Sequence, residues 1–316
     1  MNLTDCSSCF SKVSHQWKLI MARYTNLKGM GVALITPFKH DKSIDYPALA
    51  RLLEHIIHNN ADFIVVLGTT AETATLTDNE KESVKKFIVE RVNRRVPLVL
   101  GLGGNNTKAI TDSLQNGDFS DFCAILSVVP YYNKPSQEGI YQHYQAIAET
   151  SPLPVVLYNV PGRTGVNMTA ETTLRLAHDF ENIIGVKEAS GNITQMDDII
   201  KNKPEDFVVI SGDDGITFPL ITLGAVGVIS VIGNAFPYEF GRMVRLTLDG
   251  DYHRALQIHH RFTELFSLLF VDGNPAGVKC VLHAKGLIEN ELRLPLVPTK
   301  ITTYQRIREV LMQLEA

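Results

Sequence analysis

From Gly29 onward the chain alternates short apolar runs, polar or glycine-rich loops, and helix-period segments. The apolar runs fall at 31–36, 63–68, 97–101, 123–129, 154–158, 183–187, 207–211 and 226–231. They are continuous rather than alternating, the pattern of parallel strands covered on both faces. The segments between them read as amphipathic helices. Leu49, Leu52, Leu53, Ile56 and Ile57 follow i, i+3, i+4 spacing, with Pro47 suited to a first turn. Thr77 and Glu80 have capping-box spacing ahead of Val84, Phe87, Ile88 and Val92, and Thr169 precedes Leu174, Leu176 and Ala177. Eight such units predict an α/β fold, a (β/α)8 TIM barrel over 29–235; an open doubly wound sheet is the alternative, since counting strands does not prove closure. After Val231 only helical periodicity remains, at 239–248, 252–270, 276–287 and 303–314, so 236–316 is expected to be a C-terminal helical appendage. Residues 1–28 read as an N-terminal extension outside the fold, with Met21 a possible start of translation.

Composition changes this picture little. Hydrophobic residues make up 45% and charged residues 20% of the 316, ordinary for a globular protein. A net charge of -4 points to neither nucleic acid nor an anionic membrane as partner, and no apolar run reaches the roughly 20 residues of a bilayer span. The first twenty residues lack the apolar core of a signal peptide. Cys6 and Cys9 have C-x-x-C spacing without a surrounding βαβ pattern or a second pair, and Cys123 lies in an apolar run. A reduced, cytoplasmic protein is expected. The ten histidines show no paired-ligand spacing, so neither a metal nor a cofactor is expected. Gly101-Leu-Gly103-Gly104 is not a dinucleotide fingerprint, because Asn106 stands where that motif requires glycine.

Barrel sites lie at the C-terminal ends of strands. Here those ends carry hydroxyls, phenols and one lysine: Thr69-Thr70, Tyr131-Tyr132, Tyr158 and Lys187. Lys187 ends the sixth run, and Gly185, two residues earlier on the same face, predicts space beneath it. Apolar walls disfavour an ammonium charge, and the neutral amine is the form that attacks a carbonyl. Taken alone, Lys187 fits a nucleophile and a salt bridge to Glu188 or Asp213 equally well. The nearby Tyr158 and Thr69-Thr70 favour the nucleophile, because Schiff-base chemistry moves protons and hydroxyls both donate and accept them.

These strand ends resemble the dihydrodipicolinate synthase/N-acetylneuraminate lyase family of pyruvate-dependent class I lyases. The resemblance runs from about Gly29 to the C-terminus. It is carried by Gly68-Thr-Thr-Ala-Glu72, Tyr158-Asn-Val-Pro-Gly-Arg163-Thr164 and Gly185-Val-Lys187-Glu-Ala. Tyr131-Tyr132-Asn133 and Arg163 are similar to the synthase branch. The resemblance implies that Lys187 forms an imine with pyruvate, and that the derived enamine attacks aspartate semialdehyde to give 4-hydroxy-tetrahydrodipicolinate for lysine biosynthesis. It implies Tyr158 as proton shuttle, linked through Thr70 to Tyr132 of a neighbouring subunit. The Thr69 and Thr70 amides would hold the pyruvate carboxylate and Arg163 that of the second substrate, while Gly212 and Ile229 would line the site through backbone groups. A homotetramer built from tight dimers is implied as well.

Ala71 replaces the family's usual glycine, which predicts crowding beside the carboxylate loop or a backbone angle better suited to glycine. Lysine feedback is expected to be weak or absent, because the corresponding cleft carries Asp78, Lys81 and Lys108 but no glutamate. Two other functions remain open: an aldolase for sialic acid or a sugar-derived keto acid, and a non-catalytic keto-acid sensor.

Overall fold

A computed structural model describes residues 27–315; the extension with Cys6 and Cys9 lies outside the described residues. The strands are β1 (Gly29–Ala33), β2 (Phe63–Val66), β3 (Leu98–Gly101), β4 (Ala124–Val128), β5 (Val155–Asn159), β6 (Ile183–Glu188), β7 (Val208–Ser211) and β8 (Gly227–Ser230). Each pairs in parallel with its neighbour in sequence, and β8 pairs with β1. The barrel is closed, which removes the open sheet as an alternative.

The outer ring is α1 (Tyr46–His58), α2 (Asp78–Val92), α3 (Thr107–Asn116), α4 (Gln137–Thr150), α5 (Ala170–Asp179), α6 (Ile193–Asn202), α7 (Thr217–Leu223) and α8 (Pro237–Leu248). The start signals read from the chain operate as expected. Thr77 and Glu80 form a reciprocal capping box at α2, and the Thr169 hydroxyl accepts from the Thr172 amide at α5. The helix α8 buries Phe240, Met243 and Val244, so the helical region after 235 supplies the barrel's eighth cover before the appendage begins. The appendage consists of α9 (Tyr252–Val271), α10 (Ala276–Ala284) and α11 (Ile301–Glu315). No described helix is long and apolar enough to cross a membrane.

Alternation along the strands divides the core in two. Phe63, Val65, Val99, Leu126, Val156, Ile210 and Ile229 fill the barrel interior, while Ile64, Val66, Leu100, Ile125 and Leu157 meet the helices. Interior packing explains two glycines. A Cβ at Gly31 would lie 2.1 Å from the Phe63 ring, and one at Gly185 would lie 2.6 Å from Val208 Cγ2. The space expected beneath Lys187 is therefore occupied by Val208 of the neighbouring strand. The barrel is a filled core, which leaves its rim as the place for chemistry.

Candidate active site

Tyr158 and Lys187 stand opposite each other in the β5–β6 register, both near the C-terminal ends of their strands. Lys187 is 6% exposed, and its Nζ lies 4.4 Å from the centre of the Tyr158 ring. The salt-bridge reading fails on geometry, since no described carboxylate lies within 4.0 Å of Nζ. Glu188 faces the other side of β6 and accepts from Asn159, Gln195 and the Ser190 amide. Asp213 caps a one-turn helix by accepting from Gly215 N at 2.8 Å. Gly212 leaves room for the lysine stem, because a Cβ there would sit 3.1 Å from Lys187 Cε and 2.6 Å from Ala189 Cβ. Ile229 lies in the interior cluster at the neighbouring rim.

The loop after β2 forms a 3-10 turn, Thr69–Ala71, with Thr69 exposed and Thr70 buried. Thr36, just beyond β1, donates to the Ala71 carbonyl at 2.8 Å. The left-handed angles of this loop fall on Leu67 (φ 56°) and Glu72 (φ 55°), not on Ala71, so alanine fits its position without strain. That corrects the expectation of a glycine-type backbone angle at Ala71. Asn274, just before α10, donates from Nδ2 to Thr70 Oγ1 at 3.1 Å, and its carbonyl accepts from Arg163 Nη2 at 3.2 Å. Arg163 sits on a helical turn, Pro161–Thr164, directly after β5, with its guanidinium at the exposed edge of the mouth.

Beneath this loop is a buried ion pair between residues far apart in the sequence. Lys279 of α10 meets Glu72, both side chains wholly buried, and also donates to the Glu291 carbonyl at 2.9 Å. Burial pushes the Lys279 ammonium down to about 8, against the pull of Glu72. Asp214 is a second buried carboxyl, raised to about 6 by burial, which accepts from the Val231 and Ile232 amides at 3.1 and 2.7 Å and braces the turn after β8. The signal for Lys279 was present as a single charge in the apolar run Ala276-Gly-Val-Lys-Cys-Val-Leu. Nothing local marks Glu72 as its partner, 207 residues away.

Tyr132 is not brought to Thr70 within one chain. It is 87% exposed and holds a left-handed backbone (φ 74°), anchored by its amide to the Thr164 carbonyl at 3.3 Å. Gly103 serves packing, since a Cβ would lie 2.8 Å from Val128 N. Cys123 is buried, which pushes its thiol up to about 12 and makes it an inert core residue. Lys81 pairs with Asp78 at 3.0 Å and Lys108 pairs with Asp112. A depression of about 720 Å³, lined by residues such as Arg94, Arg95, Asp121 and Cys123, opens at the opposite end, where strands begin. It contains none of the groups gathered around Lys187.

Residues 26–314 match the model of the dihydrodipicolinate synthetase family. The chain belongs to the dihydrodipicolinate synthetase family. A relative from Phocaeicola vulgatus, named 4-hydroxy-tetrahydrodipicolinate synthase, is 71% identical over 291 residues, covering 92% of this chain and 98% of that protein. Among solved structures, dihydrodipicolinate synthase from Aquifex aeolicus superposes with a TM-score of 0.88 at 40% identity, covering 92% of this chain and 98% of that one. The chloride-inhibited dihydrodipicolinate synthase from Acinetobacter baumannii complexed with pyruvate gives 0.89 at 38% identity, covering 92% and 99%. This family membership agrees with the three strand-end motifs on which the resemblance rests.

Proposed function

We propose that the chain is a Schiff-base lyase that condenses pyruvate with L-aspartate 4-semialdehyde to 4-hydroxy-tetrahydrodipicolinate. The observation that carries this reading is Lys187, buried above the Tyr158 ring with no described carboxylate as partner. With no described carboxylate holding it in an ion pair, the Lys187 side chain is free to act as the nucleophile, and as the neutral amine it adds to the pyruvate C2 carbonyl. Tyr158 passes a proton to the carbinolamine oxygen, water leaves, and the imine forms. Loss of a proton from C3 gives the enamine, whose C3 attacks the aldehyde carbon. The amino group of the second substrate then closes on C2 and displaces Lys187.

The Thr69 and Thr70 amides hold the pyruvate carboxylate, and Arg163, fixed at one nitrogen by the Asn274 carbonyl, keeps donors for the carboxylate of the second substrate. Gly212 and Ile229 line the site through their backbones. The exposed Tyr132 supports a homo-oligomer, a tetramer of tight dimers, in which a neighbouring subunit supplies the phenol that reaches Thr70. Lysine feedback is weak in this reading. The pairing of Lys81 and Lys108 with aspartates softens the repulsion of a lysine ammonium but supplies no free carboxylate there. Half-inhibition staying above millimolar lysine in an activity titration checks this.

The central test is borohydride reduction in the presence of pyruvate, followed by mass spectrometry of the modified peptide. The adduct is expected on Lys187; modification of another lysine, or of none, overturns the reading. Coupled assays with aspartate semialdehyde and with sugar-derived aldehydes identify the acceptor.

A further inference from the structure

The carboxylate loop has an orientation that its own residues do not prefer. Leu67 and Glu72, on either side of the Thr69–Ala71 turn, both hold left-handed backbone angles, where the Cβ of an L-residue is crowded. Each end therefore needs an external hold. At the first end the Thr73 hydroxyl donates to the Leu67 and Gly68 carbonyls at 2.9 and 2.8 Å. At the second end the hold is the Glu72 side chain. One of its oxygens meets Lys279, and the other accepts from the Arg293 amide at 3.0 Å. Lys279 Nζ lies 4.2 Å from the Phe38 ring and the Arg293 guanidinium 4.5 Å from the same ring, which walls the pair from water.

We propose that Glu72 and Lys279 are positioning residues: their buried pair fixes the carboxylate loop to α10 and so sets where the Thr69 and Thr70 amides point. The inference rests on the pyruvate reading above. A pair serving only the fold could lie anywhere in the core. This one sits next to the binding turn, and the segment that supplies Lys279 also sends Asn274 to Thr70 Oγ1. Loop and helix consequently move as one body. Loosening the pair misdirects two backbone donors while leaving Lys187 and Tyr158, on β6 and β5, in place.

The test compares full-length Glu72→Gln with Glu80→Gln. Glu80 holds the Arg293 guanidinium of the same segment at 2.7 Å but does not touch the loop. Glu72→Gln is expected to raise the pyruvate KM about tenfold, with kcat and the aldehyde KM changed by less than about threefold. Borohydride trapping at Lys187 still goes to completion at saturating pyruvate. Glu80→Gln is expected to lower the thermal midpoint and leave the pyruvate KM unchanged. Should Glu72→Gln not fold, Glu72→Gln/Lys279→Met, which buries no unpaired charge, takes its place with the same expectation. An unchanged pyruvate KM in the folded variant, an equal rise with Glu80→Gln, or unfolding of the double variant each overturns the proposal. Failure of the unaltered chain to trap pyruvate would instead refute the reaction itself.

Discussion

Lys187 and Lys279 are both buried, and both place their ammonium near an aromatic ring, at 4.4 Å from Tyr158 and 4.2 Å from Phe38. They differ in what meets the charge. Lys279 has the Glu72 carboxylate and the Glu291 carbonyl; Lys187 has no described carboxylate within 4.0 Å, and Gly212 keeps space open beside its stem. Burial by itself therefore does not mark a reactive lysine. A desolvated ammonium with a buried counter-ion holds two parts of the fold together, whereas a buried lysine with no described carboxylate in reach has no such partner to hold.

Breaking each lysine in turn should separate these roles. The largest effect is expected from Lys187→Met: activity falls by about three orders of magnitude or more, borohydride trapping disappears, and the thermal midpoint holds or rises because a buried polar group without a described carboxylate partner is replaced by an apolar one. Steady-state kinetics and calorimetry on one preparation check both halves. Tyr158→Phe keeps the ring beside Lys187 and removes only the proton carrier, so a loss of about a hundredfold or more in kcat is expected, with the adduct still forming on prolonged incubation. Lys279→Met reverses the pattern. Leaving Glu72 buried and unpaired costs about 3–5 kcal/mol in a denaturant titration, while Lys187 remains trappable in the folded fraction.

The smallest effect concerns a third buried base. His143 is 4% exposed, with Nδ1 bonded to Thr107 Oγ1 at 2.8 Å, and burial lowers its imidazole to about 4. The unfolded imidazole binds its proton near 6.5, so between about 6.5 and 4 the unfolded chain holds more protons than the folded one. His143 therefore favours folding above that window and withdraws up to about 3 kcal/mol as pH falls through it. A midpoint measured against pH should drop less steeply for His143→Gln; parallel curves would show that the imidazole titrates normally.

Much of this architecture was legible along the chain because it depends on local spacing. The eight apolar runs coincide with the eight strands to within a few residues, and Thr77–Glu80 and Thr169 start their helices where side-chain capping is worth most. The rim positions of Lys187, Tyr158 and Thr70 were legible too, since a barrel rim is a place that counting strands can locate. The backbone angle at Ala71 and the space beside Gly185 were not legible in this way, for one reason. A backbone angle and a neighbouring strand's side chain are properties of the loop and of the β6–β7 register, not of either residue.

What the amino-acid sequence determined by itself was the barrel, its rim and the placing of Lys187, Tyr158 and Thr70 on that rim. Only the tertiary structure decided that Lys187 lacks a described carboxylate partner while Lys279 has one, that Asn274 reaches both Thr70 and Arg163, and that Tyr132 stands exposed. The physical reason is range. Periodicity and capping act over a few residues, whereas the partner that neutralises a buried charge can come from 207 residues away, and only the closed fold brings it within reach.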